Sequence, residues 1–160
     1  MKDINIEYVY KNLTQKKKQE VVELWTSNVV VSLSEAQRRV DEVSCLIYRN
    51  STLVGVSTVY KNDFNKKNNP YFFYRMFIRE DDRGSNALRT AVMRENFLKL
   101  KESYSDSVNG LVVELENIKL ARLGSKTSYF TKRGWTYSSL SNRGLQLWFV
   151  RFDEPKGIFV

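Results

Sequence analysis

Residues 71–100 read YFFYRMFIREDDRGSNALRTAVMRENFLKL, and the fold turns on how this stretch divides. Tyr71 to Arg79 is aromatic and aliphatic, the composition of a buried strand. Asp81, Asp82, Arg83 and Gly84 break the run, and Ser85 to Ser103 has helical periodicity. Leu88, Ala91, Val92 and Leu98 share one helix face and Met93, Phe97 and Leu100 the other, so the helix is expected to be covered on both sides. A strand running into a helix aims the free N–H groups of the first helical turn at the strand's end. Together with the helix dipole they form a site for an anion. Gly84 permits the tight turn, Ser85 can cap the helix, and Arg83 and Arg89 add positive charge. The same residues also make an ordinary strand-to-helix turn, and alone they do not decide between the two.

The rest of the chain narrows the field. Its 160 residues suit one domain spanning 1–160 with a single sizeable core. With 42% hydrophobic and 28% charged residues the chain is expected to fold as a globular protein. A net charge of +8 favours an anionic partner, either nucleic acid, an acidic protein or a phosphate-rich co-substrate. The absence of histidine excludes His-based triads and His-ligated metals, and one cysteine, Cys45, cannot build a zinc site, so no metal is expected. Cys45 lies in an apolar run and reads as a buried small side chain, which suits a cytoplasmic location. The N-terminal residues lack an apolar signal core, and no apolar run could span a bilayer.

Ile4, Ile6, Tyr8 and Tyr10 alternate as a first strand. Thr14 can cap a helix carrying Val21, Val22, Leu24 and Trp25, and Ser34 to Gln37 is a capping-box pattern opening a second helix through Val43. Asn50-Ser51 predicts a hairpin turn between two apolar runs, and a second hairpin is expected around Ser141 to Gly144. Leu111 to Glu116 is a further strand, parallel to Tyr71–Arg79 across the crossover helix. The stretch from Ile118 to Arg133 is helical in parts, with a break expected at Gly124.

In this order of elements, IREDDRGSNAL (residues 78–88) resembles the acetyl-CoA loop, Q/R-x-x-G-x-G/A, of the GCN5-related N-acetyltransferase (GNAT) superfamily, and YFTKRGW (residues 129–135) is similar to the end of that family's fourth helix. The resemblance implies an α/β (α+β) fold, a mixed and mostly antiparallel twisted sheet of about seven strands with about four helices on both faces. Arg83 matches the loop's opening position, while Asn86 and Leu88 stand at its glycine positions and Phe130 at the usual tyrosine. Asn tolerates a left-handed backbone, Leu88 would crowd a pyrophosphate, and Phe130 cannot donate a proton.

The resemblance further implies direct transfer of an acetyl group from acetyl-CoA to an amine acceptor that the sequence does not identify. The pantetheine arm would pair with the backbone at Met76, Phe77 and Ile78, whose N–H groups would also hold the thioester oxygen. The pyrophosphate would lie on Arg83, Gly84, Ser85, Asn86, Ala87 and Leu88, with Arg89 in reach. With no histidine, the base is sought among carboxylates, Glu114 first and Glu80 second, although Glu114 would serve equally as a structural partner of Arg75. Tyr129 is the candidate acid. The acceptor would be bounded by Trp25 to Val31 and by the loop from Lys61 to Pro70, where Lys61, Lys66 and Lys67 beside Phe64 and Tyr71 also suit a nucleic acid. Two other readings stand beside the enzyme: a GNAT-fold binding or structural protein without catalysis, and a basic nucleic-acid-binding module. Either a monomer or a homodimer fits the sequence.

Overall fold

In a computed structural model, which describes residues 3–84, 86–126 and 128–160 with the side chains of 124–126 left aside, the element order is as follows. β1 (Ile4–Tyr8) precedes α1 (Gln15–Ser27) and α2 (Leu33–Arg39), then β2 (Val43–Arg49), β3 (Thr52–Asp63) and β4 (Pro70–Ile78). The crossover helix α3 (Asn86–Tyr104) leads to β5 (Gly110–Glu114), α4 (Ile118–Lys126), α5 (Tyr129–Lys132), β6 (Thr136–Leu140) and β7 (Gln146–Arg151). The strands form one seven-stranded sheet in the order β1-β2-β3-β4-β5-β7-β6. β4 and β5 are parallel, paired at Phe72–Leu111 and Phe73–Val112, while β1–β2, β2–β3, β5–β7 and β6–β7 are antiparallel. This is the mixed, mostly antiparallel α/β architecture expected from the sequence.

Local chemistry explains most boundaries. Thr14 Oγ1 accepts from the Lys17 N–H at 3.3 Å and starts α1. Asn50 (φ 48°) and Ser51 (φ 66°) both take the left-handed conformation that a two-residue hairpin turn requires. Three expectations need correction. Ser32, not Ser34, caps the second helix, accepting from Glu35 N–H at 3.3 Å, and α2 gives way to a 3-10 turn at Val40–Glu42. α4 runs through Gly124 to Lys126, since a glycine inside a helix costs only about 1 kcal/mol. Leu98 is exposed, while Leu88 and Val92 of one face and Phe97 and Leu100 of the other are buried.

The chain divides into two compact units, Met1–Val59 with Arg75–Asn96, and Tyr60–Tyr74 with Phe97–Val160. In the first, Val21, Leu24 and Trp25 pack with Val43, Leu46 and Val56, and a second cluster joins Cys45, Ile47, Val54, Ile78, Leu88 and Val92. In the second, Phe64, Tyr71, Val112 and Leu147 form a cluster with Phe73 and Phe149 against it. Cys45 is fully buried, and desolvation pushes its thiol up to about 12. Native protein at pH 8 is therefore expected to leave a thiol reagent unreacted, and denatured protein to titrate one thiol per chain. Rapid labelling of the native protein would contradict this packing.

Candidate functional site

The β4-to-α3 turn lies wholly within the first unit. The Arg79 N–H bonds Val54 O at 2.9 Å, and the Phe77 carbonyl faces Gly55 on β3. Because alternate residues of a strand aim their backbone groups at opposite edges, Met76 and Ile78 turn theirs to the other edge of β4. The Ile78 carbonyl there accepts from Arg83 Nε at 3.0 Å. The turn itself is a 3-10 segment, Glu80–Asp82, followed by Arg83 and by Gly84 at φ 45°.

A buried carboxylate holds the turn. Asp82 is buried, accepting from Arg49 Nε at 2.8 Å on Oδ1 and from Arg79 Nε at 2.8 Å on Oδ2. The carboxylate thus ties the end of β2 to the end of β4 and fixes where α3 begins. Of three consecutive acids, the sequence gives no sign which one turns inward; Glu80 and Asp81 are exposed. Removing the carboxylate would leave two arginines facing each other, but both are partly solvated. Asp82→Ala is accordingly expected to lower stability by about 2 kcal/mol, measured as a shifted urea midpoint with an unchanged slope.

The first turn of α3 presents Asn86 and Ala87 to solvent. Its leading amides have no intrahelical acceptor, as at any helix start, and so can meet an anion. Leu88 reverses an expectation: its side chain is only 4% exposed and packs with Ile78 and Val92 beneath the turn, so it does not crowd the outer face. Arg83 is exposed and Arg89 half-buried, and neither forms an ion pair among the described residues. The proposed cap, Ser85, lies outside the described residues.

The second unit carries the candidate acid and base. Glu114 does not pair with Arg75. Arg75 Nη2 binds Glu42 at 2.8 Å, and Glu114 Oε1 is 2.9 Å from Arg143 Nη1, at ion-pair distance but out of line for a hydrogen bond. Arg143 also binds Glu116 at 3.1 Å, and these two carboxylates, Glu116 foremost, hold its guanidinium charged. Tyr129 opens α5, with the Arg133 guanidinium 3.7 Å above its ring centroid. Phe130 is buried against Trp148, their centroids 5.0 Å apart. Glu80, the second carboxylate candidate, is a solvated residue of the 3-10 turn. Phe64 and Tyr71 are both buried, so they cannot stack on bases, and the expected basic-aromatic surface reduces to the exposed lysines 61, 66 and 67.

No family model matches the sequence, and no curated protein matches it significantly. Solved structures do match its fold. An acetyltransferase of the GNAT family from Streptococcus pneumoniae superposes with a TM-score of 0.61 at 11% identity, covering 92% of this chain and 99% of that one. A tyrosine-to-phenylalanine mutant of the AtaT toxin, bound to the C-terminus of the antitoxin AtaR and acetyl-CoA, gives 0.58 at 17% identity over 94% of each chain. The aminoglycoside N(6')-acetyltransferase of Legionella pneumophila gives 0.59 at 10% identity, over 94% of this chain and 93% of that one. The chain therefore has the GNAT fold.

Proposed function

We propose that the protein is an N-acyltransferase that uses acetyl-CoA as its acyl donor. One observation carries the reading: in a chain of GNAT fold, the first turn of α3 leaves Asn86 and Ala87 exposed behind a left-handed Gly84, with Leu88 withdrawn into the core. The amides of this turn, with Arg83 and Arg89, suit a diphosphate. The outward edge of β4 at Met76 and Ile78 suits the pantetheine arm, which would take over the Ile78 carbonyl from Arg83 Nε. In the reaction the donor supplies an acetyl thioester, whose carbonyl carbon a neutral amine attacks while the C–S bond breaks and the thiolate leaves. A thiol of solution pKa about 8.5 can leave as the anion at modest cost, so the hydroxyl missing at Phe130 does not forbid turnover. Glu114, held by Arg143, is the carboxylate we assign to proton acceptance from the amine, and Tyr129 is the hydroxyl we assign to the leaving group.

The test is thermal unfolding with acetyl-CoA, CoA and an oligonucleotide. Acetyl-CoA at one hundred times its Kd is expected to stabilise the fold by about 2.7 kcal/mol. Arg83→Glu is expected to weaken binding by about tenfold or more, the loss of one charge-assisted hydrogen bond. Undiminished affinity in that variant would place the phosphates elsewhere. A second reading, a GNAT-fold binding protein without catalysis, is favoured by Phe130, which fills the place of the family's tyrosine with a ring packed on Trp148. It expects no acetyl release from acetyl-CoA with any amine. The basic nucleic-acid module expects oligonucleotide binding that falls steeply with salt.

A further inference from the structure

The second unit holds two adjoining cavities, about 570 and 370 Å³, that share Asn69, Tyr71 and Arg151. No residue from Met76 to Arg89 lines either one, so they are separate from the candidate donor site. The larger is bounded by Lys66 from the β3–β4 loop, Lys101 from α3, and Arg151 and Asp153 at the end of β7. Three cations thus meet one carboxylate. Arg151 grips Asp153 through Nε at 2.9 Å and Nη2 at 2.6 Å. Lys66 and Lys101 form no ion pair among the described residues.

The polar groups of the cavity separate into those already used and those still available. The Asn109 amide donates to Asn69 Oδ1 at 2.9 Å, and the Asn69 amide donates to Phe64 O at 2.6 Å. Tyr71 is different. It is 95% buried by its 5% exposure, its ring is wedged edge-on against Phe64 and Phe149, and its hydroxyl has no hydrogen-bond partner among the described residues. The hydroxyl oxygen is not sealed from solvent, so it is presented to the two cavities that Tyr71 lines. Burial raises its pKa, so at neutral pH it remains a donor. Donors predominate in the available set: one phenolic hydroxyl, two ammonium groups, of which Lys101 also faces Asp153, and the remaining guanidinium N–H groups. Such a set calls for an acceptor-rich anion, and a phosphoryl group offers three oxygens of that kind.

We propose that this cavity binds the phosphoryl group of a small phosphorylated metabolite, with Tyr71, Lys66, Lys101 and Arg151 as its ligands. A volume of 570 Å³ lies within the range of small-molecule sites and leaves room for more than the phosphate itself.

The experiment is an NMR titration of the whole protein with inorganic phosphate and with adenosine monophosphate, at constant ionic strength in chloride. At least one of the two is expected to give saturable shifts at the amides of Asn69, Tyr71, Asn109 and Arg151. Tyr71→Phe removes only the unpartnered oxygen, so the fold should keep its melting temperature while affinity falls about tenfold. The double variant Lys66→Gln, Lys101→Gln should weaken binding at least as much. Acetyl-CoA shifts at the first turn of α3 should be unchanged in all these variants, which keeps this site's failure distinct from that of the donor site. Absence of saturable shifts with both probes, or wild-type affinity in both variants, would overturn the proposal.

Discussion

Ala87→Asp is expected to leave the fold intact and to remove acetyl-CoA binding. The position is exposed in the first turn of α3, and an acid there is favoured by the helix dipole, so stability should hold or rise slightly. The new carboxylate would occupy the amides proposed for the donor's phosphates and would repel those phosphates at close range. Losing two or more charge-assisted hydrogen bonds corresponds to an affinity drop of about a hundredfold or more. Parallel measurement of the melting temperature and of acetyl-CoA binding checks it. Loss of both together would mean that the turn is structural, and retention of both that the anion lies elsewhere. Ala87→Ser, which adds no charge, should bind like the parent.

Gly134→Ala is expected to cost about 4 kcal/mol or more, enough to leave a domain of ordinary stability largely unfolded. Gly134 follows α5 at φ 102°, a conformation that side chains rarely adopt, and an added Cβ would run into the carbonyl of Lys156. That carbonyl cannot step aside freely. Ile158 N–H bonds Arg133 O at 3.1 Å, and Phe159 is buried against Trp135 and Phe97, which anchors the C-terminal segment on the same turn. Urea unfolding of the purified variant, or its failure to accumulate in soluble form, checks the value. The contrasting control is Gly144→Ala in the β6–β7 turn. There φ is also positive, at 74°, but the added methyl meets open space, so only the backbone penalty of about 1 kcal/mol remains.

The parts of the fold that could be read from sequence are those decided locally. Thr14 caps α1, Asn50-Ser51 turns the first hairpin, and Gly84 takes a left-handed backbone, because each answers to side-chain chemistry within a few residues. Parallel pairing of β4 with β5 followed from the crossover between them. The misreadings share another cause. Whether Ser32 or Ser34 caps α2 depends on where the preceding loop delivers the chain. Arg75 pairs with Glu42 and Glu114 with Arg143 because partner choice is settled between strands and loops far apart in sequence. Motif spacing alone puts Leu88 against the pyrophosphate, yet helical rotation sends it inward to Ile78 and Val92. Asp82, the carboxylate that fixes the candidate site, was indistinguishable from its two acidic neighbours until burial and the two arginines were seen.

The proposed acyl-donor site requires backbone amides at the start of α3 to receive phosphate oxygens. An acetyl-CoA titration followed by the amide resonances of the chain measures this directly. The predicted result is saturable displacement concentrated at Asn86 to Arg89 and at Met76 to Ile78, weakened in Arg83→Glu and lost in Ala87→Asp. Resonances of that turn that stay fixed at millimolar acetyl-CoA, or that move no more than those of the rest of the chain, would contradict it.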